Sequence, residues 1–212
     1  MGASPLPVSQ GRFHEEDGIW IWTAPKAGRE LRPALFLDRD GALVEDPGYL
    51  CRAADLALIP GAAGVIAAAN RLGIPVIEVT NQGGIARGYY GWTEFVAVEE
   101  ALAHELAGEE ASLDAILACP HWPEHPARKP QPGMLLAAQR LLPIDLKRSW
   151  IVGDKLSDLE AGYHAGLRGG LHVLTGQGAA HRQPVREWRP RDFEVRLGDS
   201  ICDAAALWTA LE

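Results

Sequence analysis

The 212 residues of the chain suffice for one well-buried domain, and its 47% hydrophobic and 23% charged residues are ordinary for a globular protein. The formal net charge of -8 argues against nucleic-acid binding, which usually needs a basic surface. Three widely spaced cysteines exclude a disulfide framework, and no apolar run approaches the roughly 20 residues that span a bilayer. We therefore expect a cytoplasmic protein that contacts no membrane, without a signal peptide because residues 1–12 lack a continuous apolar core.

Residues 1–32 are rich in glycine, proline and charge, and we interpret them as a flexible N-terminal arm ahead of a domain at residues 33–212. The arm contains one strongly apolar piece, Ile19-Trp20-Ile21-Trp22. Aromatic residues in a short arm usually pack onto the parent domain or onto a second subunit. We expect such packing, with a lid over a site as the alternative, and the oligomeric state stays open between monomer and homodimer.

From residue 33 onward, short apolar runs alternate with amphipathic patterns. Strands are predicted at 34–37, 74–79, 113–118, 150–152, 171–174 and 193–195, and helices at about 62–72, 93–107, 133–142, 157–166 and 200–211. Such alternation is typical of an α/β fold with a Rossmann-like, doubly wound parallel sheet. The polar loops follow one another too closely for a large inserted cap domain.

The first predicted strand ends in two aspartates, Asp38 and Asp40, followed by Gly41. Open α/β sheets bind ligands at the carboxyl ends of their strands, so the pair stands where a site is expected. Two carboxylates this close repel each other unless a cation separates them or one is protonated. Mg²⁺ is the usual partner of such ligands when the substrate is a phosphate, although D-x-D also occurs in ordinary acidic loops.

Three further strand ends carry polar residues that complement this pair. They are Thr80 and Asn81 after the second strand, Arg128 and Lys129 after the third, and Asp154 and Asp158 after the fourth. As an alternative, each of these residues could have a purely local role in a turn or a helix cap. Because the carboxyl ends of parallel strands meet at one edge of a sheet, their ordered succession predicts a single cleft.

The side chains gathered in such a cleft suit phosphoryl transfer. Asp38 and Asp154, with a backbone oxygen of Asp40, could hold Mg²⁺. Thr80, Lys129 and free loop N–H groups could bind the phosphate oxygens. Asp38 could then attack phosphorus to form an aspartyl-phosphate, while Asp40 protonates the leaving oxygen and later deprotonates a water molecule.

Four segments carry a family resemblance: FLDRDG, VTNQGGIARG, RKPQPGM and VGDKLSDLEAG. They resemble the four motifs of the haloacid dehalogenase (HAD) superfamily of phosphatases. Over residues 34–176 the chain is similar to the D-glycero-D-manno-heptose 1,7-bisphosphate phosphatases and the related histidinol-phosphate phosphatases. The resemblance implies a Rossmann-like core without a large cap and a requirement for Mg²⁺.

The resemblance also implies roles for individual residues. Asp38 would be the nucleophile and Asp40 the general acid and base, and Ala42, where the family usually has threonine, is expected to matter little. Thr80, Asn81 and Lys129 would bind the phosphate that is transferred. Asp154 would be a metal ligand and Asp158 a supporting carboxylate. Arg87 and Arg128 would contact the substrate.

The chain departs from the resembled family in its zinc loop. The family pattern is C-x-H, a spacer and C-x-C, and only the first pair, Cys119 and His121, is present here. In place of the missing C-x-C cysteines, the residues ahead of Arg128 that could bind a metal are Glu124 and His125. A structural zinc takes four ligands, mostly Cys and His, so we expect this loop to bind no zinc.

The sequence therefore predicts a Mg²⁺-dependent phosphomonoester hydrolase that acts on a small phosphorylated metabolite, foremost a sugar bisphosphate such as D-glycero-D-manno-heptose 1,7-bisphosphate. Arg87 and Arg128 could grip a second anionic group bidentately. A histidinol-phosphate phosphatase is the alternative enzyme, and a catalytically silent phosphate-binding protein is the alternative from another class. A polynucleotide phosphatase is disfavoured by the net charge of -8.

Overall fold

The computed structural model describes residues 8–14, 16–25 and 30–211, and the remainder of the predicted arm lies outside these ranges. The strands are β1 (Arg12–His14), β2 (Ile19–Thr23), β3 (Leu35–Leu37), β4 (Val76–Asn81), β5 (Ala115–Cys119), β6 (Trp150–Gly153), β7 (Gly169–His172) and β8 (Glu194–Leu197). The α-helices are α1 (Ala62–Arg71), α2 (Trp92–Gly108), α3 (Gly133–Leu141), α4 (Leu156–Ala165), α5 (Gly178–Glu187) and α6 (Trp208–Leu211).

All eight of these strands form one sheet, in the order β1-β2-β5-β4-β3-β6-β7-β8. The six strands from β3 to β8 pair in parallel, whereas β1 and β2 are antiparallel and extend the edge beside β5. The prediction of a Rossmann-like α/β fold is thus confirmed. Each of the six strands predicted after residue 33 has a counterpart whose ends lie within two residues of the expected positions.

Both faces of the sheet are covered, which explains why its strands are continuously apolar rather than alternating. On the central strand, Leu35 and Leu37 point into one core and Phe36 into the other. Helices α1 and α2 cover the first face, and α3, α4 and α5 cover the second. The central strands are therefore buried along their length, and their carboxyl ends carry the first polar residues that can reach solvent.

The apolar piece at residues 19–22 is a strand of this sheet. Strand β2 pairs with β5, and its two isoleucines and two tryptophans point to opposite faces, each into one of the two cores. The ring of Trp20 lies edge-on to Phe95 of α2, with 5.2 Å between centroids. Residues 19–23 therefore belong to the sheet and not to a flexible arm, while the domain boundary at residue 32 stays a prediction.

The structure differs from the predicted helices in three respects. Helices α2 and α4 begin after Gly91 and Lys155 rather than at Thr93 and Ser157, because the acidic residue three positions later accepts a hydrogen bond from the backbone N–H of each cap. The predicted helix at 200–211 is a 3₁₀-helix until residue 207. Helix α5 was not predicted, because it contains a proline and buries only two residues.

Among the described residues, no helix combines the length and the apolar character needed to cross a bilayer.

Candidate active site

The carboxyl ends of the parallel strands open into a cleft of about 410 Å³. Seven of the predicted site residues line it: Asp38, Asp40, Thr80, Asn81, Arg128, Lys129 and Asp158. Asp154 lies beneath the floor and is fully buried. The structure therefore brings together the polar ends of four strands that are far apart in sequence.

Lys129 is the centre of the cleft floor. Its Nζ donates to Asp38 Oδ1 at 2.7 Å and lies 2.7 Å from Asp158 Oδ1, and all three side chains are buried. Burial lowers the pKa of Lys129, but Asp158 and Asp38 outweigh it and leave the pKa raised. Lys129 is therefore a fixed ammonium between two carboxylates.

The backbone of Lys129 is held by Asn81, the last residue of β4. The Asn81 amide donates to the Lys129 carbonyl oxygen at 3.0 Å and accepts from the Lys129 N–H at 3.1 Å. Asn81 was predicted to bind phosphate, and the structure uses both polar groups of its side chain to place Lys129. Its geometry favours an indirect contribution to the site.

Three buried carboxylates converge beside Lys129. Ligand oxygens of Asp38, Asp154 and Asp158 all lie within 4.8 Å of one another. Burial, followed by the charges of Asp38 and Asp158, raises the pKa of Asp154 to about 7. The two ammonium groups beside the cluster, those of Lys129 and Lys155, do not balance three carboxylates, so the donor set fits a divalent cation with hard oxygen ligands.

The predicted metal ligands were Asp38, Asp40 and Asp154, and the third carboxylate of this cluster is Asp158 instead of Asp40. The prediction assigned only a backbone oxygen of Asp40 to the metal. Close packing also shapes the cluster, because Gly41 has a φ of +91° and a Cβ there would lie 2.4 Å from Asp154 Oδ2. Only glycine combines that backbone angle with so close an approach.

The carboxylate of Asp40 is oriented by two neighbours. Arg39 donates to it twice, from Nε to Oδ1 at 3.1 Å and from Nη2 to Oδ2 at 2.9 Å. Gln82 Nε2 donates to Oδ2 at 3.0 Å and to Thr80 Oγ1 at 2.7 Å. The Tyr90 hydroxyl in turn donates to Gln82 Oε1. Asp40 and Thr80 are thus joined through one amide.

Arg39 continues into a buried network that the sequence reasoning missed. Its Nη1 donates to Glu99 Oε1 of α2 at 2.6 Å, and both side chains are almost fully buried. The buried carboxyl group of Glu78 in β4 lies beside Glu99. A signal was present in the sequence, since Glu99 lies on the apolar stripe of α2 between Phe95 and Leu102.

Lys155 and Gln177 are two more site residues that the sequence reasoning missed. Lys155 Nζ lies 3.3 Å from Asp154 Oδ1, and the Gln177 N–H donates to Asp154 Oδ2 at 2.7 Å. The Gln177 side chain also donates to Asp46, which lines the cleft as well. Lys155 stands directly after Asp154, and a lysine at a strand end beside a predicted metal ligand was the available signal.

The mouth of the cleft combines arginine and aromatic side chains. The guanidinium carbons of Arg87 and Arg128 lie 5.1 Å and 4.8 Å from the centroid of the Trp122 ring. Arg87 donates to the Tyr49 hydroxyl at 2.6 Å, and Arg128 donates to the His121 carbonyl oxygen at 3.1 Å. Two positive charges are therefore held at one side of the entrance.

The loop that resembles a zinc loop is held by protein contacts. His121 Nε2 is 2.7 Å from the Gly18 carbonyl oxygen, and the ring of His125 stacks on His121 with 3.8 Å between centroids. Cys119 is buried at the end of β5. In the part of the chain that the structure describes, no group of three Cys, His or acidic ligands converges here. The absence of zinc stays a prediction.

Metal analysis tests that prediction. Protein purified without added zinc is expected to contain much less than one zinc per chain, because the histidines are used by Gly18 and by each other. Inductively coupled plasma mass spectrometry gives the stoichiometry. One zinc per chain that is lost in a Cys119→Ser variant would contradict the prediction.

The buried Glu78 predicts a pH-dependent stability. Burial, followed by the charge of Glu99, raises the pKa of Glu78 well above its usual range. The folded chain then holds a proton that the unfolded chain releases, so stability falls as pH rises above the ordinary Glu pKa. Glu78→Gln removes this loss, which is about 1.4 kcal/mol for each pH unit and proton.

Urea unfolding at pH 5 and pH 8 measures the effect. We expect Glu78→Gln to gain stability relative to the wild type at pH 8, with a smaller gain at pH 5. The exposed Glu105 of the same sequence provides the matched control, and Glu105→Gln should shift the free energy of unfolding by less than about 0.5 kcal/mol. The same gain at both pH values would show that Glu78 carries no such proton.

Comparison with known proteins agrees with the fold and with the family that the sequence motifs resemble. Residues 126–199 match the family model of HAD-hydrolase-like proteins. A relative from Mesorhizobium japonicum, named D-glycero-beta-D-manno-heptose-1,7-bisphosphate 7-phosphatase, is 45% identical over 198 residues. The match covers 88% of this chain and 89% of that relative.

Two solved structures are similar over most of their length. A HAD-like phosphatase from Mesorhizobium loti superposes with a TM-score of 0.82 at 40% identity, covering 94% of this chain and 96% of that one. A D,D-heptose 1,7-bisphosphate phosphatase from B. bronchiseptica, complexed with magnesium and phosphate, gives a TM-score of 0.75 at 30% identity, covering 84% and 98%. The chain therefore belongs to the HAD-like phosphatases, in the family of the heptose-1,7-bisphosphate phosphatases.

Proposed function

We propose that this chain is a Mg²⁺-dependent phosphomonoesterase that removes one phosphate from a sugar bisphosphate through an aspartyl-phosphate on Asp38. The observation that carries the proposal is the buried contact of Lys129 with Asp38, in a carboxylate cluster of which Asp38 and Asp158 line the cleft. The curated relatives at 38–45% identity are named heptose-1,7-bisphosphate 7-phosphatases. D-glycero-D-manno-heptose 1,7-bisphosphate is accordingly the proposed substrate.

The proposed metal site consists of the carboxylates of Asp38 and Asp154 and a backbone oxygen of Asp40. Mg²⁺ bound there supplies positive charge that neutralises the carboxylates and the phosphate oxygens. Asp158 supports the site by holding Lys129, with 2.7 Å between Asp158 Oδ1 and Nζ. The magnesium in the structure of the B. bronchiseptica relative supports Mg²⁺ as the metal.

The phosphate to be transferred is bound by Lys129 and Thr80 at the floor of the cleft. Lys129 Nζ already lies 2.7 Å from the nucleophilic carboxylate, so it screens the repulsion between Asp38 and the incoming phosphate. Asn81 fixes the backbone of Lys129, and Lys155 adds a second ammonium at the cleft wall. The arrangement depends on positioning and charge neutralisation, as phosphoryl transfer requires.

The reaction then proceeds in two steps. A carboxylate oxygen of Asp38 attacks phosphorus, the bond from phosphorus to the sugar oxygen breaks, and the proton of Asp40 moves to that leaving oxygen. In the second step Asp40 takes a proton from water, whose oxygen attacks phosphorus and breaks the bond to Asp38. Inorganic phosphate and the free enzyme result.

A second anionic group on the substrate is recognised by Arg128 and Arg87 at the mouth. Both guanidinium groups lie against Trp122, and Arg128 lines the cleft itself. Histidinol phosphate carries one phosphate and a positive amino group, which these arginines would repel. This observation favours the bisphosphate over the alternative enzyme. A silent phosphate-binding protein is disfavoured because nucleophile, acid, lysine and metal aspartate all meet in the cleft.

The expected cellular setting is the cytoplasm. Cys51, Cys119 and Cys202 are free thiols in the described part of the chain, as a reducing compartment favours. The net charge of -8 supports a small metabolite as the partner rather than nucleic acid.

The covalent mechanism predicts the behaviour of Asp38→Asn. The amide is a poor nucleophile and a weak metal ligand, so hydrolysis of 4-nitrophenyl phosphate should fall about 10³-fold or more. Chelation of Mg²⁺ with EDTA should abolish wild-type turnover in the same assay. Asp55→Asn, at an exposed position, is the control. Wild-type turnover by Asp38→Asn, or equal rates with Mg²⁺ and EDTA, would contradict the mechanism.

Substrate recognition predicts the behaviour of Arg128→Ala. Loss of a charged hydrogen bond to the second phosphate should raise KM for the heptose bisphosphate about 10- to 100-fold. The value of kcat/KM for 4-nitrophenyl phosphate, which has no second anionic group, should change far less. Arg71→Ala, on the exposed face of α1, is the control. Steady-state kinetics on both esters provides the test, and equal losses on both would argue against a second-phosphate contact.

A further inference from the structure

Arg39 stands between the two aspartates of the first strand end and is fully buried. Its guanidinium uses one edge to reach Asp40 and its remaining nitrogen to reach Glu99 on α2. The guanidinium carbon lies 5.6 Å from the centroid of the Phe95 ring. A residue at the centre of the reacting motif is therefore tied to a helix on one face of the sheet.

The contacts leave the guanidinium little freedom to rotate. The fork of Nε and Nη2 spans both oxygens of the Asp40 carboxylate at 3.1 Å and 2.9 Å, which fixes its plane as well as its distance. On the opposite side of the guanidinium, Arg39 Nη1 donates to Glu99 Oε1 at 2.6 Å. A lysine ammonium carries the same charge but has no such fork.

The surrounding charges keep this arrangement in place. Arg39 faces two carboxylates, Asp40 and Glu99, and Glu78 lies behind Glu99. Loss of either carboxylate would leave one side of the buried guanidinium without a hydrogen-bond acceptor, and loss of both would leave its charge uncompensated, which is costly in the protein interior. The ion pairs of Arg39 with Asp40 and Glu99 therefore hold the Asp40 carboxylate in a fixed orientation, while Asp40 still lines the cleft.

The hydrogen bonds also distinguish the two oxygens of Asp40. Oδ2 accepts from both Arg39 and Gln82, whereas in the described part of the chain Oδ1 accepts only from Arg39. A carboxylate oxygen has two lone pairs, so Oδ1 has one left for a proton.

We propose that Arg39, anchored by Glu99, is a positioning residue that holds Asp40 so that Oδ1 carries the proton delivered to the leaving oxygen. The inference rests on the proposed function, in which Asp40 is the general acid. Arg39 itself touches neither the phosphate nor the leaving group, and it acts through the orientation of Asp40.

The dependence of rate on the leaving group tests this role. Phenolate is more basic than 4-nitrophenolate and needs the proton more, although the two phosphate esters are similar in size. The comparison uses kcat/KM, which covers the steps up to the first irreversible one, the transfer of phosphorus to Asp38. The later hydrolysis of the aspartyl-phosphate is the same for both esters and does not enter.

The variants are Arg39→Lys and the milder Glu99→Gln, which keeps an acceptor oxygen for Arg39. For Arg39→Lys, we expect kcat/KM on phenyl phosphate to fall at least 10-fold more than on 4-nitrophenyl phosphate. General acid catalysis contributes roughly 10²- to 10⁴-fold in total, so this loss is a fraction of it. Glu99→Gln should show a selective loss of about threefold or more.

Two controls exclude a general effect on the fold. Arg71→Lys and Glu105→Gln make the same substitutions at exposed positions and should leave the ratio of the two esters unchanged. Circular dichroism melts identify folded variants, and Glu99→Gln supplies the measurement if Arg39→Lys does not fold. Equal losses on both esters, or no loss, in the folded variants would overturn the positioning role.

Asp40→Asn separates failure of this inference from failure of the proposed function. A selective loss in Asp40→Asn together with equal losses in the Arg39 and Glu99 variants would overturn the positioning role alone. Equal losses on both esters in Asp40→Asn itself would overturn the acid role of Asp40, and the inference with it.

Discussion

The site depends on one buried interaction, the pairing of the Lys129 ammonium with the carboxylates of Asp38 and Asp158. Anions in a protein interior are costly unless a positive charge compensates them. Ligand oxygens of Asp38, Asp154 and Asp158 lie within 4.8 Å of one another, and without Lys129 the carboxylates of Asp38 and Asp158 would lose the ammonium that both contact. This constraint explains why Asn81 is used to place the Lys129 backbone.

A second buried ion group supports the other half of the cleft floor. Arg39 joins Asp40 to Glu99 of α2, while Lys129 joins Asp38 to Asp158 of α4. These two helices pack on opposite faces of the sheet. The two aspartates of one strand end are thus held from opposite sides, which suits residues that have different proposed roles two positions apart.

The mouth of the cleft is built from a loop that rests on the N-terminal hairpin. The carbonyl oxygen of Gly18, between β1 and β2, contacts His121 Nε2. The loop that contains His121 also places Trp122 and Arg128 at the entrance. The lack of a side chain at Gly18 leaves room for both histidine rings, since a Cβ there would lie 2.6 Å from His125 Cε1 and 2.9 Å from His121 Nε2. The edge of the sheet therefore supports the part of the site proposed to recognise the substrate.

Local periodicity and the motifs at strand ends were enough to predict the α/β fold and its four polar strand ends, and with them the candidates Asp38, Asp40, Thr80, Lys129 and Asp154. The pairing of Arg39 with Glu99, 60 positions away, could be seen only in the folded chain. The same holds for the insertion of β2 beside β5. Such pairings depend on which faces and registers meet after folding, and no local pattern encodes them.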